Sequence, residues 1–200
     1  PIAPAFLPML AAKMLQANPD VTFTLTEGDN NSVQTGLVDG QFDVILFVEE
    51  LPNPQIETQP LVYAPTYCLC ATDHALAQYE TVSVSQIVTE PLILLDRPAA
   101  RGYYLDLLEQ GGEALRVVAT ANSTEMVRSL VASKVGISLL NMKPRDVPTY
   151  AGNNINCLRI RDSNSGVTLS LGFPPGPKRR LVQTFVECCT TFFEEPLGAN

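Results

Sequence analysis

Four short aliphatic runs limit what this chain can become: "FDVILFV" (42–48), "LILL" (92–95), "LRVVAT" (115–120) and "GISLL" (136–140). Each is short for a helix; "FDVILFV" and "LILL" are continuous apolar runs that read as buried strands, and "LRVVAT" and "GISLL" read as further strands. Helical spacing lies between and beside them. "NNSVQTGLVDG" ends at Gly40, "RPAARGYYLDLLEQGG" ends at Gly111-Gly112, and "ANSTEMVRSLVASKV" leads into the last run. Strands alternating with helices require crossover connections, which a mostly parallel α/β sheet provides.

The remaining segments extend this pattern. "PAFLPMLAAKMLQANPD" places Phe6, Leu7, Leu10, Met14 and Leu15 at helical spacing, and Asn18-Pro19 stops it. "VTFTLTEG" (21–28) alternates apolar residues with threonines and predicts a half-exposed strand. "IETQPLVYAPTYCLCAT" predicts two strands with Pro60 and Pro65 between or beside them. "INCLRIRD" and "GVTLSLGF" predict a hairpin, or a pair joined through Ser163-Asn164-Ser165-Gly166. "PKRRLVQTFVECCTTFFEE" predicts a terminal amphipathic helix with Leu181, Val182, Phe185, Val186, Cys189, Phe192 and Phe193 on its apolar face. The strand–helix rhythm occurs once before about Thr72 and once after it, so two αβ lobes are the simplest architecture. On pattern alone, the terminal helix fits either lobe.

Composition narrows the function. A net charge of −8 opposes direct DNA binding by this chain, because phosphate contacts need clustered cations. The one dense basic run, Lys178-Arg179-Arg180, is expected in the first turn of a helix, the unfavourable end for cations. It reads as a solvated or subunit-facing patch. The sequence has no apolar run of about 18 residues, so no membrane span is expected. The opening "PIAPAFLPML" has no basic leader pattern and no initiator Met, so the expectation is a fragment or processed product rather than an intact signal peptide.

Five irregularly spaced cysteines match no zinc spacing and predict free buried thiols in a reducing compartment. His74 is the lone histidine, and on an extended chain its side chain points away from Asp73. With no nucleophile–base pair and no ligand cluster, no catalytic residue, cofactor or metal is expected.

Several segments resemble the effector-binding (regulatory) domain of LysR-type transcriptional regulators. "FLPMLAAKMLQANPDVTFTLTEGDNNSVQTGLVDGQFDVIL" resembles that domain's first helix, strand, helix and strand, including "NPDV", "EG" and L-x-x-G-x-x-D. "PLVYAPTYCLCATDHALA" resembles its long crossing strand and the "HPLA" after it, with Ala75 in the usual proline position. "NSTEMVRSLVASKVGISLL" resembles its helix, glycine and strand, with Asn141 where a proline often follows "LL". The strand preceding the first helix and the family's N-terminal winged helix-turn-helix are not in this sequence.

The resemblance implies an α/β fold of two Rossmann-like lobes, similar to type 2 periplasmic-binding proteins, with a small effector in the cleft between them. Lobe I is then 1–72 plus 170–200, and lobe II is 73–169. The terminal helix is then expected on lobe I. Pro4 and Phe6, in the loop and first turn beginning at Pro1, are placed at the cleft by resemblance. Phe47, Val48 and Glu49, after "FDVIL", are expected at its edge, and Cys70 and Ala71 at the hinge.

The candidate residues of lobe II rest on chemistry as well. Ligands of parallel sheets collect at the carboxyl ends of strands, where helix N-termini present unpaired N–H groups to anions. Asn122, Ser123 and Thr124 occupy such a start. They would also serve as a plain helix cap, with Glu125 at capping-box spacing from Asn122. Arg97 and Arg101 follow "LILL" and offer planar forks for a carboxylate, with a salt bridge to Asp96 or Asp106 as the structural alternative. Tyr103 and Tyr104 could close over a ligand, one of them being core.

The resulting expectation is the small-molecule-sensing and oligomerising domain of a cytoplasmic regulator. Its effector is anionic or polar, its assembly a homodimer or homotetramer, and its contact with DNA runs only through a domain outside this chain. The alternative is a periplasmic solute-binding protein of a transporter. The cysteine pattern weighs against that reading, as does the lack of a leader pattern. An enzyme on the same scaffold is a third and weaker reading.

Overall fold

A computed structural model of the chain describes residues 6–48, 52–141, 149–150 and 152–194. Within these residues the backbone gathers into two compact units. The central unit falls within 65–166, and the terminal unit within 6–64 together with 167–194.

The central unit grows around the aliphatic runs. Its strands are the carboxyl half of β2 (Glu57–Ala71), then β3 (Thr81–Val82), β4 (Leu92–Leu95), β5 (Val117–Ala121), β6 (Ile137–Asn141) and β7 (Ile155–Ile160). Strand order across the sheet is β3-β7-β2-β6-β4-β5. β4 pairs in parallel with both β5 and β6, as crossover helices demand. Those helices are α4 (Pro98–Glu109) and α5 (Thr124–Ala132), with the short α3 (Val84–Val88) ahead of β4. Ile93, Val127, Val131 and Ile137 are fully buried between sheet and helices. Burying each such side chain stabilises the fold by about 1.5–3 kcal/mol.

Two local devices hold this sheet in place. Ser138, inside the buried run, satisfies its hydroxyl by donating to the Ile93 carbonyl at 2.6 Å. Gly136 passes so close to Pro91 that a Cβ would strike its carbonyl oxygen, the same oxygen that accepts the Ile137 N–H at 2.8 Å.

The terminal unit is built differently. α1 (Leu7–Ala17) packs on α6 (Arg180–Glu194), so the terminal helix finds its core here. Phe6 lies against Phe192 and Phe193, edge-on to Phe193 with centroids 4.9 Å apart. β1 (Ile45–Val48) pairs antiparallel with β8 (Gly166–Phe173), which runs beside β2. α2 (Asn30–Val38) is capped by Asp29, whose carboxylate accepts the N–H groups of Asn31 and Ser32, both at 2.9 Å. The hydrogen bond from Ser32 lowers the Asp29 pKa. Gly40, with φ +71, turns the chain out of that helix.

Four readings of the sequence need correction. Residues 21–29 form no strand, since no neighbouring strand among the described residues supplies a ladder. Leu25 is 57% exposed, and the Phe23 ring lies 6.1 Å from that of Phe185. Consequently the strand pairing described in the terminal unit is antiparallel, and the parallel rhythm holds in the central unit alone. Second, the segment expected as two strands is the single 15-residue β2, with Pro60 and Pro65 at exposed positions. Proline interrupts a strand only where its missing N–H would have served the ladder.

Third, β7 and β8 are not a hairpin. β7 pairs with β2 and β3, whereas β8 pairs with β1 and lies beside β2. Fourth, α6 begins at Arg180, so Lys178 and Arg179 precede it. Lys178 Nζ stands 3.7 Å over the Phe173 ring and 3.6 Å from Glu57, and Arg179 pairs with Asp43 at 3.0 Å. These local partners offset the unfavourable placement of cations near a helix start.

Candidate functional site

Because β4, β5 and β6 run in parallel, their carboxyl ends share one edge of the central sheet, and polar residues continue from each. Asp96-Arg97 follows β4, Asn122-Ser123 follows β5, and Asn141 closes β6. Ser123 is the N-cap of α5, its Oγ accepting the Met126 N–H at 3.4 Å. Arg97 precedes α4 and donates from Nε to the Asn122 carbonyl at 2.9 Å, which ties the turn after β4 to the turn after β5. Thr124 opens α5, half-buried. Arg101 pairs with Asp96 at 3.2 Å, and both side chains are about half exposed. A pair so solvated contributes ~0–1 kcal/mol and remains easy to redirect.

The capping box expected between Asn122 and Glu125 is not formed. Glu125 instead accepts from Arg128 at 2.6 Å, from Ser129 Oγ at 3.4 Å and from the Tyr150 N–H at 2.7 Å. Its carboxylate organises neighbouring chain, and the open end of α5 is left to Ser123.

Tyr103 and Tyr104 sit side by side on α4, rings edge-on with centroids 5.2 Å apart. Tyr104 is the core member, 3% exposed, and Tyr103 is half-buried. Tyr103 Oη lies 2.6 Å from Thr66 Oγ1.

In the terminal unit, Phe6 and Phe47 lie in the core, 2% and 3% exposed. Val48 is half-buried, and the Asn30 side chain holds its backbone by donating to its carbonyl at 2.6 Å and accepting from its N–H at 3.1 Å. Pro4 and Glu49 lie outside the described residues.

The described residues contain no group of three or more His, Cys, Asp or Glu able to hold a metal ion. None of their helices is long and apolar enough to cross a membrane.

The family model described as the LysR substrate binding domain matches residues 1–194. This chain belongs to the LysR substrate-binding-domain family. Its fold is the type 2 periplasmic-binding-protein-like α/β fold of that family.

Among relatives of this LysR domain, the HTH-type transcriptional regulator cbl of Escherichia coli is 25% identical over 186 residues, covering 92% of this chain and 58% of that protein. HinK, a LysR family transcriptional regulator from Pseudomonas aeruginosa, superposes with a TM-score of 0.89 at 29% identity, covering 96% of this chain and 67% of that one. The BenM effector binding domain with its effector benzoate superposes with a TM-score of 0.82 at 16% identity, covering 94% of this chain and 86% of that one, a likeness of fold alone. The chain spans about half the length of the curated relatives it matches, 46% in one case and 58% in another.

Within the LysR domain, Cys70 and Ala71 are buried in β2, opposite Asn156 and Ile155 of β7. Burial pushes the Cys70 thiol up to about 11 and raises that of Cys68 further. The five cysteines are free thiols. Asp73 and His74 do take separate partners. Asp73 pairs with Lys134, which lowers its pKa, while His74 Nδ1 accepts the Leu76 N–H at 3.1 Å.

Sequence reasoning missed Thr66 and Asn141, which meet Tyr103 and Tyr104 at the edge of the LysR domain's central sheet. The one visible signal was Asn141 itself, a polar residue closing the buried run "ISLL".

Proposed function

We propose that this LysR domain senses a small anionic or polar molecule on behalf of a transcriptional regulator, and that DNA is bound by a domain outside this chain. The effector sits at the carboxyl edge of β4, β5 and β6. Arg97, Arg101, Tyr103 and the α5 start at Asn122, Ser123 and Thr124 form its wall in the central unit.

The observation that carries this reading is the tie from Arg97 to the Asn122 carbonyl, which brings a guanidinium to the N-terminal end of α5. A cation, a solvated Arg101 and a helix start form a favourable field for a carboxylate or phosphate. The BenM domain, of like fold, holds benzoate, an anion of this class. Free thiols, buried at Cys68, Cys70 and Cys189 and half-buried at Cys157 and Cys188, agree with a reducing cytoplasm. The domain also assembles as a homodimer or homotetramer, in keeping with a role in relaying effector binding between subunits.

A thermal-shift screen of carboxylates, amino acids and phosphates tests the ligand class. Small anions are expected to raise the melting temperature. Stabilisation by neutral apolar compounds alone would overturn the anion assignment. Arg101→Ala binding as tightly as the parent removes that residue from the site. Light scattering at tens of micromolar is expected to give at least a dimer, and a monomer would refute self-assembly.

A further inference from the structure

Four side chains of the central unit form one connected chain of hydrogen bonds. Tyr104 Oη donates to Asn141 Oδ1 at 2.7 Å, and Asn141 Nδ2 donates to Thr66 Oγ1 at 3.0 Å. Thr66 Oγ1 lies 2.6 Å from Tyr103 Oη, where either oxygen could supply the proton. The geometry is set by the fold. Thr66 and Asn141 face each other across the β2–β6 ladder, and the two tyrosines are consecutive on α4.

Proton counting gives the chain a direction. A carboxamide donates only from nitrogen and accepts only at oxygen, so Asn141 receives from Tyr104 and passes the polarity to Thr66. Thr66 therefore accepts from Asn141 and has its own hydroxyl proton still to place. That residue is 4% exposed, and an unsatisfied buried donor is costly, so its proton goes to the oxygen 2.6 Å away. Tyr103 Oη is then the acceptor from Thr66, and its own proton turns away from the chain. Tyr103 is the only tyrosine of the two with appreciable exposure.

We infer that Tyr103 Oη–H is a fixed donor at the effector site, selecting a ligand that presents an acceptor oxygen there, and that Thr66, Asn141 and Tyr104 are positioning residues that set this polarity. The inference rests on the proposed effector-sensing role and deepens it, because it assigns the hydrogen-bond sense of one ligand atom. The opposite polarity would offer a lone pair and select an amine or hydroxyl donor. A preset donor also loses little on binding, since both its hydroxyl rotor and its ring are already held.

Two measurements test this. Neutron diffraction from the 200-residue chain without ligand is expected to place the shared deuteron on Thr66 Oγ1. A deuteron on Tyr103 Oη, directed at Thr66, overturns the inference.

The second measurement is calorimetric titration with benzoate and inorganic phosphate as acceptor probes, and with benzamidine as a donor probe of benzoate's shape. An acceptor probe is expected to bind, with Tyr103→Phe weakening it roughly 10- to 100-fold. Thr66→Val is expected to erode the preference for benzoate over benzamidine, although the tyrosine hydroxyl is retained. Equal binding of the acceptor probe to wild type and Tyr103→Phe, or tighter binding of benzamidine than benzoate, overturns the donor assignment while leaving effector sensing intact. If no acceptor probe binds wild type, the anion reading fails and the role of Tyr103 as a ligand donor fails with it.

Discussion

The two units reach stability by different routes. The central unit buries the aliphatic strands β4 and β6 under helices, and Ile93, Val127, Val131 and Ile137 have no exposed surface. The terminal unit joins a short antiparallel ladder to a helix pair, seated on aromatic contacts such as Phe6 with Phe193. It also uses polar ties, notably the Asn30 amide holding both backbone groups of Val48. Aliphatic runs specify a sheet through local pattern. Ring and amide contacts specify structure only once distant segments have met.

Matched truncations probe this contrast most strongly. Phe6→Ala is expected to cost the terminal unit about 3–5 kcal/mol, and Ile93→Ala to cost the central unit about 2–5 kcal/mol, read by denaturant unfolding. If Phe6→Ala cost less than about 1 kcal/mol, the aromatic seat would not be what holds α1 on α6. A milder insult is Gly136→Ala, which pushes a methyl group into the Pro91 carbonyl and is expected to cost about 1–3 kcal/mol. A neutral outcome would mean the approach of the two chains is loose.

Ser123→Ala removes the side-chain cap of α5 and should lower stability by about 1 kcal/mol. Leu25→Ser, at a 57% exposed site, should stay within about 0.5 kcal/mol. A large loss there would show that residues 21–29 are packed after all.

The thiols distinguish the units less than they unite them. Cys70 in the central unit and Cys189 in the terminal unit are pushed by burial up to about 11 and about 12. Their folded pKa values exceed the ordinary thiol value near 9, so the unfolded chain gives up these protons first. Stability is therefore unaffected by these groups at neutral pH and falls as pH rises above about 9. Melting temperatures across pH 7–11 check this, and Cys70→Ala with Cys189→Ala should flatten the alkaline decline.

The legibility of the sequence followed the range of the interactions involved. The strand "LILL" and the α4 and α5 patterns were readable because an apolar stripe and its stop signals act over one turn or one pleat. Ser123 was readable as a cap for the same reason. The alternation of "VTFTLTEG" pointed to a strand, yet alternation records only which faces are apolar and cannot supply a neighbour. The prolines of β2 looked like breaks because the sequence does not say which N–H groups the ladder needs.

At the candidate site, Arg97, Tyr103 and the α5 start were visible as residue types in a suggestive place. Thr66 was not, since its partners Tyr103 and Asn141 are 37 and 75 residues away. By itself the sequence determined the α/β class, the Ser123 cap and the buried run "LILL", consequences of near-neighbour spacing, and its motifs carried the LysR resemblance. Only the tertiary structure decided that β2 is one strand flanked by both β7 and β8, and that Glu125 holds Tyr150 rather than capping its helix. It alone brought Tyr104, Asn141, Thr66 and Tyr103 into one line, because hydroxyl and amide partners are chosen by proximity in space.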